Sequence, residues 1–535
     1  VFTAIVLISF LVYVLIGYVV GRHVKTKSDY FVAGRKAPTL LITGSLVASY
    51  MSAVGFTGDV GLSYDGYPIL LLILLVVSYT GYILGPLIFG RYLRRSNVLT
   101  IPEFLGKRFD SRRVQVLAGV TVIAGVGIYL LAITQGLALL MSSLLDINFA
   151  TALLVLLVAY TSLTIISGSP GVLVTDTIMF VVFTTAAIMC MGWVIWDLGG
   201  PQDVVARIAN LGTHPDSLMP HGLTGSTAYM GTPGDAIVWA GIYGVVWAII
   251  ITVSPWQSSR YMMAKNEHAS VRGGAWAAAA MLVFYIPLAF GSLALNLYDS
   301  SIQPSENAFI HAAQEIMPIG LGAVALCGIF AAGLSTASTF LSLVGFSVSH
   351  DINVNNQKKP STSDSGTKGA RLAILGVGAS VFVVAYIAPP AILELAYFAG
   401  ALFAASWGPV CLMAVHSSRI TARGASASIA SGFTTVVAME IAEVATSLEI
   451  PIYLHPAIVG FAISFCAALA ASSSKDASRR GTAFRKELMN TPSSEVDTVE
   501  LKKTKATLVT LSVVSIASIG VLYYAYYRPV LSVLG

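Results

Sequence analysis

Five hydroxyl side chains crowd the middle of the apolar stretch 328–350: Ser335, Thr336, Ser338, Thr339 and Ser342. Ala332, Ser335 and Thr336 follow i, i+3, i+4 spacing and share one helical face. Ser335, Ser338 and Thr339 share a second, overlapping face. Inside a bilayer an unpartnered polar atom costs several kcal/mol. Uncharged oxygens grouped in this way suit a weakly held, partly dehydrated monovalent cation. The same groups also satisfy themselves by bonding i−4 carbonyls, or serve as small packing residues between helices. Spacing alone leaves both readings open.

The elements that must position these oxygens are membrane helices. Hydrophobic residues make up 56% of the chain, charged residues 11%, and the mean hydropathy is +0.79, which predicts an all-α polytopic membrane protein. Runs of about twenty apolar residues, each able to cross ~30 Å of hydrocarbon, recur fourteen times. They fall at 1–21, 40–62, 67–90, 114–143, 149–167, 172–197, 236–257, 271–296, 319–349, 371–388, 391–415, 421–446, 454–472 and 506–527. With the N-terminus outside, 29 of the 31 Lys and Arg residues lie in cytoplasmic loops, leaving only Arg207 and Arg528. The positive-inside rule is thereby met, and the net charge of +5 reports topology rather than nucleic-acid binding. The four cysteines sit inside spans and read as packing residues. No GxxxxGK[ST] phosphate loop is present, which argues against an ATP-driven pump. The polar segments 351–370 and 473–505 read as cytoplasmic linkers, and the loop 199–235 as a cover for the outer mouth.

Two spans depart from ordinary packing helices. Residues 44–66 carry five glycines, of which Gly55, Gly58 and Gly61 each weaken a helix by ~1 kcal/mol relative to alanine. Such a segment either unwinds to expose carbonyls toward a cavity or packs closely through its small residues. A second break is expected at Ser254–Pro255, after the aromatic pair Tyr243 and Trp247. Asp176 stands inside a span and is a functional-site candidate by its cost alone, unless it lies near enough to the interface to stay hydrated. Glu394, Glu440 and Glu443 read as interfacial. No Arg or Lys is expected in a span interior.

At these residues the chain resembles the sodium:solute symporter family. SDYFVAGR at 28–35, TIPEFLGKRF at 100–109, SGSPGVLVTDTIMF at 167–180 and SSRYMMAKNEHASVRGG at 258–274 carry the likeness. The resemblance implies a LeuT-type fold of two inverted five-helix repeats, at 40–197 and 236–415, with an extra helix at 1–21 and three more in 421–535. It also implies a sodium site made by the carbonyls of Ala48, Met51 and Ala332 and the hydroxyls of Ser335 and Thr336. A second sodium would lie between Asp176, Ser338 and Thr339, with Ser335 shared. Tyr50, Ser52, Tyr79, Gln135, Tyr243 and Trp247 would face the solute.

The expected activity is therefore sodium-coupled symport of a small organic solute into the cell across the plasma membrane, and no enzyme chemistry. YMSA at 50–53 resembles the acetate and monocarboxylate branch. Proton coupling on the same fold, and sodium-coupled carriage of an amino acid or sugar, are the alternatives.

Overall fold

A computed structural model of the chain describes residues 2–211, 216–352, 363–388, 392–446, 450–473 and 477–534. Every one of the fourteen apolar stretches carries helix. The helices used below are α1 (Phe2–Gly21), α2 (Thr39–Tyr50), α3 (Ala53–Tyr64), α4 (Pro68–Gly85), α5 (Ile101–Phe109), α6 (Arg112–Leu145) and α7 (Phe149–Asp197). They continue with α8 (Pro233–Val253), α9 (Pro255–Met263), α10 (Glu267–Ala294), α11 (Ile319–Phe346), α12 (Ser363–Ile387), α13 (Ile392–His416), α14 (Ala422–Thr446), α15 (Pro456–Ala470), α16 (Arg479–Met489) and α17 (Thr498–Leu522). Among the described residues twelve helices are long and apolar enough to cross a membrane, or thirteen when the bent α2–α3 pair is one span. The 49-residue α7 is two helices joined across a break at Gly168 and contains two of the expected stretches, 149–167 and 172–197.

A kink at Gly168 separates those two stretches. Its φ of +55° and ψ of −157° lie where only glycine sits without strain. A Cβ there would come within 2.6 Å of the Tyr30 ring. The Tyr30 hydroxyl bonds the carbonyls of Thr164 and Ile165, at 3.3 and 3.1 Å, just before the kink. Gly168→Ala is expected to cost about 1–3 kcal/mol, read as a lower thermal midpoint of the detergent-solubilised protein.

The first broken span differs from its expectation in detail. It bends by 63° between Thr39–Tyr50 and Gly55–Tyr64, but the break lies at Met51 and Ser52, before Gly55, Gly58 and Gly61. Met51 is extended (φ −72°, ψ 117°), and Ser52 caps α3 by accepting the Gly55 N–H at 3.0 Å. A serine N-cap starts a new helix more effectively than a glycine stops one. Gly61 instead lets α3 approach the backbone of Ser305 and Glu306, which a Cβ would meet at 3.0–3.2 Å. The second break is where the sequence places it: Ser254 is extended at ψ 146° and Pro255 opens α9.

Burial grades from centre to rim. In the most apolar window of α13, 89% of residues are buried, against 72% in that of α11 and 6% in that of α17. The stretch 473–505 is not a simple linker. It folds into α16 and the first turns of α17, tied down by Arg485 Nε on the Val415 carbonyl and Arg95 Nη1 on the Leu488 carbonyl, both at 2.8 Å. These arginines satisfy carbonyls left over at helix ends, which a reading of composition does not see. Half of the other expected linker, 351–370, lies at 353–362, outside the described residues with Lys358 and Lys359, and 363–370 is helical as the start of α12.

Candidate functional site

Ending α2 at Tyr50 leaves its last carbonyls without helical partners, and α11 meets them there. Ser335 Oγ lies 2.9 Å from the Ala48 carbonyl and 2.9 Å from that of Ala332. Thr336 Oγ1 lies 2.6 Å from the Met51 carbonyl, 3.2 Å from that of Ala48 and 3.0 Å from that of Ala332. Ser335 and Thr336 are 0% and 1% exposed. Five oxygens converge here and share two hydroxyl protons, an excess of lone pairs that a small cation would relieve. The structure therefore brings together all five residues named for the first sodium site.

The second set assembles differently. Ser45 Oγ donates to Asp176 Oδ2 at 2.6 Å, and Thr339 Oγ1 lies 3.4 Å from the same oxygen. Ser338 Oγ turns back to the Ser335 carbonyl at 2.9 Å, and Ser335 Oγ serves the first group. Arg260 fills the remaining space. Its Nη2 lies 3.4 Å from Asp176 Oδ2 and donates to Thr339 Oγ1 at 2.5 Å. Arg260 is on α9 and 2% exposed, so the expectations that span interiors hold no Arg and that Arg260 is a loop residue are both wrong. The break at Ser254–Pro255 turns the chain inward, and an apparent loop cation becomes a buried one. Asp176 Oδ1 and Arg260 Nε have no hydrogen-bond partner among the described residues.

Beside the α2–α3 break lies a cavity of about 260 Å³, lined in part by Tyr50, Asp59, Tyr129, Trp247, Tyr285 and Tyr397. Of the six residues expected to face the solute, Tyr50 and Trp247 line it, with ring centres 5.5 Å apart. Tyr79 packs behind them, 6.0 Å from the Tyr50 ring, and its hydroxyl has no partner among the described residues. Ser52 is engaged as the α3 cap. Gln135 is fully buried and donates to the Ala388 carbonyl at 3.1 Å. Tyr243 lines a separate outer pocket with Glu394, Glu440 and Glu443 and lies 3.0 Å from His455 Nε2. Asp59 was not singled out from the sequence, although a carboxylate inside span 40–62 carries the same signal that identified Asp176.

The cavity reaches outward past Tyr229 and Ser305. The cytoplasmic ends are tied together. Glu103 Oε2 lies 3.0 Å from His350 Nε2, Lys27 Nζ lies 3.1 Å from His350 Nδ1, and Arg95 pairs with Glu267 at 2.6 Å. Burial would raise the Glu103 carboxyl, but hydrogen bonds and charge from His350 and Lys107 outweigh it and hold the group at about 2.

A model described as "Sodium:solute symporter family" matches residues 30–432. The sodium/proline symporter of Salmonella typhimurium is 26% identical over 454 residues, covering 81% of this chain and 87% of that protein. The sodium/sialic acid symporter of Aliivibrio fischeri is 23% identical, covering 69% and 74%. A solved structure described as the substrate-bound outward-open state of a Na+-coupled sialic acid symporter superimposes with a TM-score of 0.73 at 18% identity, covering 88% of this chain and 99% of that one. The likeness to that structure gives the helices a LeuT-type fold.

Proposed function

The chain belongs to the sodium:solute symporter family, and from that premise we propose that it carries a small organic solute inward with one sodium ion, bound by the Ala48, Met51 and Ala332 carbonyls and the Ser335 and Thr336 hydroxyls. The family makes it a multi-pass plasma-membrane transporter that is driven by sodium, not an enzyme. The observation that carries the ion assignment is the convergence of α11 on the carbonyls exposed by the Met51–Ser52 break, closest at 2.6 Å.

Sodium arriving from outside would turn the two hydroxyls so that their lone pairs face the ion. It would also fix the angle between α2 and α3. That angle sets the wall of the cavity holding Tyr50 and Asp59, so ion binding prepares the solute site. Moving α11 away from α2 when the cytoplasmic side opens would split the ion's ligands and release it. We read 40–197 and 236–415 as two repeats, because each begins with a broken span, at Met51–Ser52 and Ser254–Pro255. One charge crossing ~100 mV supplies ~2.3 kcal/mol, and a tenfold sodium gradient adds ~1.4. Together they support accumulation of roughly a few hundred-fold.

Arg260 already supplies positive charge beside Asp176, so a second sodium would have to displace a guanidinium or rely on the orphan Oδ1. The initial uptake rate is therefore expected to rise hyperbolically with sodium. A sigmoidal rise with a Hill coefficient near two would instead require the second ion. Replacing sodium with potassium at fixed pH is expected to abolish accumulation; unchanged uptake would exclude sodium coupling. A free monocarboxylate fits the cavity poorly, since Asp59 would repel it and no basic side chain lines the wall among the described residues.

A further inference from the structure

The cavity beside the α2–α3 break is aromatic and acidic, with Asp59, Asp65 and Glu306 in its lining. Tyr285 Oη donates to Asp59 Oδ2 at 2.6 Å, and no protein donor is recorded on Oδ1 among the described residues. Among the described residues Asp59 makes no ion pair, and neither Lys, Arg nor His lines the cavity. Its surroundings are rings: Tyr50, Tyr129, Trp247, Tyr285 and Tyr397. Behind them the Tyr79 side chain, 3% exposed, packs 6.2 Å from the Tyr285 ring with its hydroxyl unpartnered.

A carboxylate in such a place is costly unless a positive charge joins it. Among the described residues the buried acids Asp176 and Glu500 have basic partners, Arg260 and Arg272, whereas Asp59 is half-buried. It has no basic partner within the described protein. The rings around it would attract the same kind of partner, because a cation over an aromatic face gains from the ring quadrupole, most strongly when desolvated. The approach from outside has the same sign. Asp65 and Glu306 border this cavity, and the titratable groups lining the neighbouring outer cavity are Asp299, Glu306, Glu394 and His311. The electrostatic path thus draws cations inward and discourages anions.

The geometry points to an ammonium-bearing solute, its charged nitrogen held by Asp59 within the ring of Tyr50, Tyr129, Trp247, Tyr285 and Tyr397. The assignment rests on the symport reading and narrows its substrate class. The ammonium would neutralise Asp59, which has no basic partner among the described residues, as sodium would complete the oxygen-rich site at the end of α2. The sodium contributes no charge to Asp59 directly, so ion and solute occupy separate sites and are coupled through the α2–α3 bend.

The test uses the full chain in proteoliposomes with an inward sodium gradient. Radiolabelled choline, glycine betaine and L-proline are compared with acetate, pyruvate and glucose. Sodium-driven uptake of at least one ammonium compound is expected. Asp59→Asn should raise its half-saturating concentration by at least about 30-fold, as expected for truncating one partner of a buried charge pair, and Asp59→Glu should recover part of that loss. The sodium concentration for half-maximal uptake should stay within about twofold, because Asp59 is not an ion ligand. Sodium-driven uptake confined to acetate, pyruvate or glucose would overturn the inference and leave sodium symport standing. So would an Asp59→Asn protein that takes up the ammonium compound with unchanged half-saturation. Uptake of an ammonium compound that ignores sodium would instead sink the symport reading. The wild-type panel decides the matter even where Asp59→Asn fails to fold.

Discussion

Arg260→Leu is expected to destabilise the protein by about 3–5 kcal/mol, because it leaves the Asp176 carboxylate buried without its counter-charge. Both side chains are within 3% of full burial, so water cannot take over the role of the guanidinium. Thr339 and Ser45 remain as neutral partners of Asp176 Oδ2, and they soften the loss without cancelling it. Asp176→Asn should cost a similar amount by stranding Arg260. The double variant Asp176→Asn, Arg260→Leu should be more stable than the sum of the two single losses predicts, since removing both charges also removes their desolvation cost. Thermal unfolding of the four purified proteins measures the cycle. Strictly additive losses would mean that the two groups do not act as a pair.

Thr336→Ala is expected to raise the sodium concentration for half-maximal uptake by about tenfold or more, the scale of a lost bond to a charged group. Thr336 Oγ1 is one of five oxygens around the proposed ion and makes the shortest contact to the α2 end, 2.6 Å to the Met51 carbonyl. Thr336→Ser keeps that oxygen and should retain most of the sodium affinity. At saturating sodium the alanine protein should recover much of its maximal rate, because the missing group binds the ion rather than the solute. Uptake kinetics at graded sodium separate the cases, and an unchanged sodium dependence in Thr336→Ala would remove Thr336 from the ion site.

The oxygen cluster was legible because it rests on local periodicity. Ala332, Ser335 and Thr336 face one way on any helix, and α11 is one. The break at Ser254–Pro255 was legible because proline opens a helix wherever it stands. The break in 44–66 was placed in the right span for the wrong reason. Three glycines drew attention, yet Gly61 serves a close approach to Ser305 and Glu306, and the bend depends on one serine cap. Arg260 and Asp59 were lost for a shared cause. Each lies near the edge of an apolar run, where hydropathy cannot tell a residue facing water from one turned inward by a break. The roles of Ser52, Gln135 and Tyr243 were equally out of reach, because each is decided by a partner distant in sequence or by a local cap.

Three of the five oxygens around the proposed ion belong to the main chain, at Ala48, Met51 and Ala332. Substituting those side chains leaves the oxygens in place, so the recognition is inherited as a shape rather than as a set of letters. The vulnerable point lies elsewhere: Ser52, which touches no ion, holds the bend that aims two of those carbonyls. Genetic variation that tunes the ion affinity of this carrier is thus most economically sought at a cap, in a residue that a catalogue of ligands would omit.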